Sequence, residues 1–276
     1  MNILITGGFG LIGKKLVSKL SENKNYNLFL ISRNIKPKNK ATNIFNIVHD
    51  LLEPITVEKI PKDINTVIHL AAIAHKTSSN VMPINSLMTK NITDAFIDKE
   101  VRFVFFSSVA VYGEANRHFP IKISDYCKPY SSYGLGKLKD EEIVSSSFKD
   151  YIILRLCPVI DGDDTDLLKR IYLPKTKIKY RSSYNRVYSF LSHRTIFKSV
   201  NSILNKKDIT NNIINLKDPL NYNESDILKK YNGKEVKIPL LISMPAFCFL
   251  NLFSFIPKIY TINCLLTKML KSNTYE

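Results

Sequence analysis

Short apolar runs alternate with longer amphipathic stretches through the first half of the chain. Apolar runs predict strands near residues 2–6, 27–32, 44–48, 65–70, 102–107 and 151–155. Helical periodicity predicts helices near 11–22, 84–99 and 130–148. Runs such as VRFVFF and YIILRL are continuously apolar rather than alternating. A strand covered on both faces reads that way, which points to a parallel sheet between two helical layers. The expected fold class is therefore α/β, a doubly wound parallel sheet.

The pattern changes after residue 157. Pro158, Gly162 and Pro174 punctuate it, and basic residues crowd 169–186. Helical periodicity returns near 194–206, a short strand fits 212–216, and helices fit 223–231, 240–256 and 260–271. This reads as a small C-terminal α/β lobe over 161–276, partly interleaved with a first domain over 1–160.

Residues 238–257 (IPLLISMPAFCFLNLFSFIP) carry no charge, and their length is close to a bilayer span. Pro239, Pro245 and Asn251 interrupt them, and a proline inside a helix removes a hydrogen bond. Three readings stand: a buried helix of the small lobe, a helix lying on a membrane surface, and a true span. The first makes the protein cytoplasmic, and the second adds peripheral membrane contact.

The net charge of +16 attracts anions. Codon bias toward Lys, Asn and Ile explains the same number without a partner. No arginine-rich run or aromatic-interleaved basic stripe points to nucleic acid. Cys127, Cys157, Cys248 and Cys264 have no metal-ligand or redox-pair spacing, and no secretory leader precedes the first strand.

Chemistry concentrates at strand ends. Thr6-Gly7-Gly8-Phe9-Gly10-Leu11-Ile12-Gly13 follows the first strand and opens the first helix. Gly7 suits a tight turn, Gly10 close approach of a pyrophosphate, and Gly13 close helix–sheet packing, the dinucleotide fingerprint of a Rossmann domain. The second strand ends in Ser32-Arg33, where an acidic residue would favour NAD. Arg33 can receive a 2′-phosphate, so NADP is favoured over NAD, or the side chain is simply solvated. Asp50-Leu51 follows the third strand, where a carboxylate can accept from the adenine amino group. Leu70, Ala71 and Ala72 close the fourth strand with room for a cofactor.

The fifth strand runs into Ser107-Ser108, and Tyr133 and Lys137 lie four apart on the next helix, on one face. A nearby ammonium stabilises a phenolate, so Tyr133 is expected to be depressed and to act as acid/base near neutral pH. Ser108 would bond the substrate oxygen that alternates between hydroxyl and carbonyl.

The stretches TGGFGLIG, HDLLEP, VIHLAA, FFSSVAVYGEA, YSSYGLGK and ILRLCPVIDG resemble the NAD-dependent epimerase/dehydratase branch of the extended short-chain dehydrogenase/reductase family. The resemblance spans residues 1 to about 162. It implies a small lobe that binds a nucleotide sugar and a catalytic triad of Ser108, Tyr133 and Lys137. It also implies a cofactor lined by Leu11, Ile12, Asp50 and Leu51, and a structural asparagine, Asn85, near the active site. Family members often pair through the helix bearing Tyr133, which implies a homodimer. Val109-Ala110 stand where dehydratases of the family carry an Asp-Glu pair, and where the 3,5-epimerase/reductases carry a cysteine. Redox at one carbon remains, as a sugar-nucleotide 4-epimerase or 4-keto-sugar reductase of a bacterial surface-polysaccharide pathway. The alternatives are the same chemistry on a lipid-diphosphate sugar at the membrane and a non-catalytic dinucleotide-binding paralogue.

The second lobe departs from the family. No counterpart of its phosphate-side asparagine appears around Asp163–Asp166. The family's R-S-F-x-x-V-x-D reads Tyr188-Ser189-Phe190-Leu191-Ser192-His193-Arg194-Thr195, without the aspartate. Lys169, Arg170, Lys175, Lys177, Lys179, Arg181 and Arg186 form a solvated face or supply charge for a diphosphate. Of these, Arg186 is the expected substrate contact.

Overall fold

The structure, a computed structural model, describes residues 1–34, 41–73, 81–113, 119–160, 178–182, 186–206, 208–229, 234–238, 249, 253, 256–270 and 272–276. Its strands in chain order are β1 (Asn2–Thr6), β2 (Asn27–Ser32), β3 (Ile44–Val48), β4 (Thr66–His69), β5 (Arg102–Ser108), β6 (Tyr151–Leu156), β7 (Val159–Ile160), β8 (Ile178–Ser182), β9 (Val187–Tyr188), β10 (Leu191–Ser192), β11 (Asn212–Leu216), β12 (Tyr222–Asn223) and β13 (Lys234–Ile238). The helices are α1 (Leu11–Leu20), α2 (Val81–Asp94), α3 (Ser132–Ser147), α4 (His193–Asn205), α5 (Glu224–Lys229) and α6 (Pro257–Leu270).

Seven strands form one parallel sheet in the order β11-β6-β5-β4-β1-β2-β3. The order reverses between β1 and β4, and a doubly wound sheet opens a crevice at the carboxyl ends of the strands where that happens. Alternate residues feed two separate cores. Ile3, Ile5, Leu28, Leu30, Val104, Phe106, Ile152 and Leu154 pack with Leu16, Val17 and Leu20 of α1 and Ile196, Val200 and Ile203 of α4. Leu4, Ile31, Val67, Phe103, Phe105 and Ile153 pack on the other face with Ile92 of α2 and Val144 of α3. Each such side chain contributes about 1.5–3 kcal/mol when buried. These two cores are why the strands lack alternation.

The strand at 212–216 lies where the pattern puts it, but in the central sheet. β11 pairs with β6 at the sheet edge, and α4 before it packs on α1. The chain therefore leaves the sheet after β6 and returns for α4 and β11. Around this return sit three short pairings, β10–β7, β12–β9 and β13–β8. Most of the expected helix over 240–256 and the acidic residues around Asp163–Asp166 lie outside the described residues. So do Lys169, Arg170, Lys175 and Lys177. Among the described residues no helix is long and apolar enough to cross a membrane.

Residues 272–276 link these parts. Asn273 N–H donates to Val187 O (2.8 Å) and Asn273 O accepts from Ser189 N–H (2.9 Å). Thr274 O accepts from Ile121 N–H, and Glu276 N–H donates to Ile121 O, both at 2.9 Å. Glu276 O accepts from Asn215 Nδ2 on β11 (2.7 Å).

Candidate active site

The glycine loop lies at the carboxyl end of β1. Gly7 has φ +70, and a Cβ there would sit 2.7 Å from Ala71 N. A Cβ on Gly13 would sit 2.2 Å from Gly7 O, so α1 can approach the loop only without a side chain at that position. Gly10 caps α1 with no side chain and has open space beyond Gly7 O. The first helical turn carries no acidic residue. Its backbone N–H groups are thus left to an anion, which a helix N-terminus favours.

The other expected cofactor residues rim the same end of the sheet. Leu11 is exposed, Ile12, Leu70, Ala71 and Ala72 are half-buried, and Leu51 is buried. Arg33 is exposed after β2, with Ser32 Oγ turned to Asn34 O (2.8 Å) rather than across it. Asp50 closes its own turn by accepting from Leu52 N–H (3.1 Å). Buried Asn85 of α2 accepts from Ile73 N–H (2.8 Å) and donates to Ile73 O (3.2 Å), fixing the segment after β4. A loop that only glycine fits, an uncapped helix start and small residues opposite it suit a dinucleotide pyrophosphate.

Ser108 ends β5, and its Oγ accepts from Ala110 N–H (3.2 Å), which turns the chain sharply through Val109–Val111. Ser131 caps α3 by accepting from Gly134 N–H (3.1 Å), and Tyr133 and Lys137 follow in the first two turns. Ser108 and Tyr133 hydrogen-bond through their side chains. Lys137 is 3% exposed; its Nζ donates to Phe106 O (2.8 Å) and stands 4.5 Å over the Phe105 ring. β5 and α3 thus bring the three residues together.

Their electrostatics differ from the simple expectation. Burial pushes Tyr133 up to about 12, against the Ser108 hydrogen bond that lowers it, and the Asp140 carboxyl adds to the rise. Burial also lowers Lys137 to about 8, although Asp140 and Glu141 both oppose that. The expected depression of Tyr133 by Lys137 is therefore reversed in the protein by itself. Desolvation of the buried phenol is the largest cause, and the Lys137 ammonium donates to the Phe106 carbonyl.

Behind the triad lies a polar layer that sequence reading passed over. Glu141, one turn beyond Lys137, pairs with Arg155 of β6 (Nη2–Oε2 2.7 Å) and accepts from Ser107 Oγ. Arg155 Nη1 also donates to Tyr112 Oη (2.8 Å), which donates to Asn215 Oδ1 (2.8 Å). Burial works against the Arg155 charge, but the bonds to Glu141 and Tyr112 outweigh it and hold Arg155 above its ordinary value. The available signal was one arginine inside the apolar run YIILRL. His69 is fully buried between Thr6 Oγ1 (2.6 Å from Nδ1) and Thr89 Oγ1 (3.1 Å from Nε2). Burial and then the Lys137 charge lower it to about 3, so it stays neutral.

In the second lobe, Arg186 is fully buried and pairs with Glu224 at the start of α5. The carboxylate missing from the Tyr188–Thr195 segment is supplied from elsewhere. Asp218, just past β11, accepts from Ser192 N–H (3.0 Å), Ser192 Oγ (2.8 Å) and Thr195 Oγ1 (2.5 Å), and from Tyr222 Oη (2.7 Å). A hollow of about 1010 Å³ lined by Met1, Asn65, Arg102 and Asp150 lies at the opposite, amino ends of the strands. Ligands of open α/β sheets bind at the carboxyl ends, so the chemistry belongs with the glycine loop.

Comparison with known proteins agrees with this geometry. The family model described as "NAD dependent epimerase/dehydratase family" matches residues 3–163. A protein of Methanocaldococcus jannaschii described as a putative UDP-glucose 4-epimerase is 35% identical over 171 residues. That match takes 55% of this chain and 54% of the relative, so the chain spans about half the length of the curated relative it matches. The UDP-glucuronic acid 4-epimerase of Bacillus cereus, solved with NAD, superposes with a TM-score of 0.69 over 87% of each chain at 21% identity. The UDP-N-acetylglucosamine 4-epimerase of Methanobrevibacter ruminantium, solved with UDP-N-acetylmuramic acid, gives 0.68 over 86% of this chain and 84% of its own, at 24% identity. These likenesses extend the shared fold beyond the matched segment into the second lobe. With its glycine loop, its strand-end serine and its Tyr133–Lys137 helix in the matched segment, the chain belongs to the NAD-dependent epimerase/dehydratase family.

Proposed function

We propose that the protein is a nucleotide-sugar 4-epimerase that uses NAD, with UDP-hexoses as the first substrates to try. The observation that carries the reading is the meeting of Ser108, Tyr133 and Lys137 beside an uncapped, glycine-only helix start. The Gly7–Gly13 loop would hold the pyrophosphate, Asp50 and Leu51 the adenine end, and Leu70, Ala71 and Ala72 the space beyond. Bound there, NAD would supply a reversible hydride acceptor for the sugar carbon. Inversion requires return to the opposite face of that carbon.

The side chains handle the proton. Tyr133 Oη takes it from the sugar hydroxyl and gives it back, and Ser108 Oγ holds that oxygen in line. Burial favours the neutral phenol, so Tyr133 must first release its own proton to solvent and act as the phenolate, which the Lys137 ammonium would favour. Val109 and Ala110 put no carboxylate beside Ser108, which supports redox at one carbon without dehydration. The second lobe would hold the sugar nucleotide, with Arg186 the sequence-based candidate for its phosphates. Exposed Leu87 and Leu135, on the packed pair α2 and α3, would suit pairing with a second copy.

Purified protein incubated with NAD and UDP-glucose, UDP-glucuronic acid or UDP-N-acetylglucosamine should form the 4-epimer, detected by chromatography. Absence of exchange with all three, while NAD binds, overturns the reading. Arg33 favours a second reading, a 4-keto-sugar reductase using NADPH. Oxidation of NADPH by a 4-keto sugar nucleotide, without epimer exchange, would select it.

A further inference from the structure

The buried face of α3 holds one charge for which the triad gives no role. Asp140 is 1% exposed and lies three residues beyond Lys137. Ser86 Oγ of α2 donates to its Oδ1 (2.8 Å), and among the described residues its Oδ2 has no hydrogen-bond donor. A buried carboxylate is costly unless a charge or donors answer it. The geometry points to Asp140 as a positioning residue of this site: the carboxylate that keeps Lys137 an ammonium while Tyr133 changes its protonation.

The other charged groups around Lys137, among the described residues, leave Asp140 as its partner. Glu141 on α3 is committed to Arg155 of β6 and to Ser107 of β5, and it raises Lys137 less than Asp140 does. His69 of β4 is neutral. Tyr133 is protonated at rest, and α2 brings only the hydroxyls of Ser86 and Thr89 toward Asp140. Lys137 keeps its proton only to about pH 8 even with Asp140 and Glu141 both raising it against burial. One opposite charge at close range is worth roughly 1–3 pH units. Losing Asp140 would therefore bring Lys137 to neutrality or below, where a neutral amine no longer stabilises a phenolate. Burial drives the Asp140 carboxyl up, while the Lys137 charge, the Ser86 and Thr89 hydroxyls and the Lys139 charge favour its ionised form. Thr89 also touches His69, which touches Thr6 beside the glycine loop, so the carboxyl is braced from the cofactor side.

This inference rests on the proposed epimerase reading for its activity test, but not for its stability test. In Asp140→Asn the alkaline limb of the turnover–pH profile should move down by about one unit or more. Turnover at pH 8 should fall several-fold, and Asp140→Glu should bring the limb back toward wild type. Independently of turnover, the melting temperatures of wild type and Asp140→Asn are compared from pH 6 to 9. The variant's deficit should be largest near pH 6 and shrink as pH rises toward about 8, where Lys137 of the wild type also loses its proton. A deficit constant across that range, with an unmoved limb, overturns the proposal. Ser86→Ala is the second variant should Asp140→Asn not fold. It removes a donor that keeps the carboxyl ionised and so favours the neutral form of the Lys137–Asp140 pair; plateau turnover should fall, and an unchanged plateau overturns the proposal. If wild type exchanges no UDP-sugar, the functional reading fails while the melting comparison still decides this pair.

Discussion

The sheet region and the second lobe each bury an arginine–glutamate pair, and the two pairs differ in their surroundings. Arg155–Glu141 is woven into its neighbours: Ser107 beside the strand-end serine, Tyr112, and Asn215 across the sheet. It stands one turn from Lys137 and fixes how α3 sits on β5 and β6. Arg186–Glu224 ties a loop to a six-residue helix, with Glu224 N–H donating back to Arg186 O (2.7 Å). The same chemistry therefore serves different ends. In the sheet it locks the helix that carries Tyr133 and Lys137 against β5 and β6, and in the lobe it ties the start of α5 to the residue before β9. Breaking either pair leaves an unanswered charge in the interior, which is costlier than removing both partners.

The sharpest way to break this contrast is Tyr133→Phe. It should lower turnover about 100- to 10,000-fold, the range for losing a proton-transfer group. The melting temperature should stay within a few degrees. A variant retaining more than a tenth of wild-type turnover would remove the chemistry from the sheet region altogether. Next come the pairs themselves. Arg155→Met and Arg186→Met should each cost about 3–5 kcal/mol in denaturant unfolding. The doubles with Glu141→Met and Glu224→Met should recover much of that loss. After recovery the Arg155 double should keep a depressed kcat, whereas the Arg186 double should show its defect in KM. The same kinetic defect in both doubles would erase the distinction.

Gly13→Ala is a milder probe of the sheet region. Its Cβ meets the backbone of Gly7 and Gly8, so the loop must shift, at about 1–3 kcal/mol in stability. NAD affinity measured by calorimetry should fall with it, and unchanged affinity would dissociate the loop from the cofactor. The smallest effect concerns Asp218 in the lobe. Burial raises its carboxyl, but the bonds from Thr195, Ser192 and Tyr222 outweigh that and hold it below the ordinary value. A carboxyl depressed on folding adds stability above its unfolded pKa, near 4, and loses it as pH falls through the folded value. Asp218→Asn should thus be less stable than wild type at pH 6 by about 1 kcal/mol, with the gap closing below pH 4. A gap that persists at pH 3 would show that charge is not what Asp218 provides.

The sheet region was legible because local chemistry fixes it. Six predicted strands fall within two residues of the observed ones, since runs such as YIILRL must be covered on both faces. The glycine loop was readable because its backbone tolerates no Cβ at Gly7 or Gly13. What escaped depends on distance in sequence. Nothing around 212–216 announces that this strand returns to pair with β6, because a partner far away in the chain leaves no local mark. Asp218 likewise stands 26 residues from the Ser192 it caps. Asp140 and Glu141 sit in the charged stretch KLKDEE, which carries no local sign that they point inward, as the packed structure shows they do. The Tyr133 expectation failed for a related reason: i,i+4 spacing establishes proximity to Lys137 but says nothing of desolvation.

The linking segment at 272–276 has a consequence for how the molecule comes into being. Its partners are Ile121, Val187, Ser189 and Asn215, so the contacts that fasten the lobe to the sheet close only when residue 276 is available. On a ribosome, the glycine loop and the Tyr133 helix emerge long before that clasp. The nascent chain would therefore form the glycine loop and the Tyr133 helix before it can close the lobe onto the sheet.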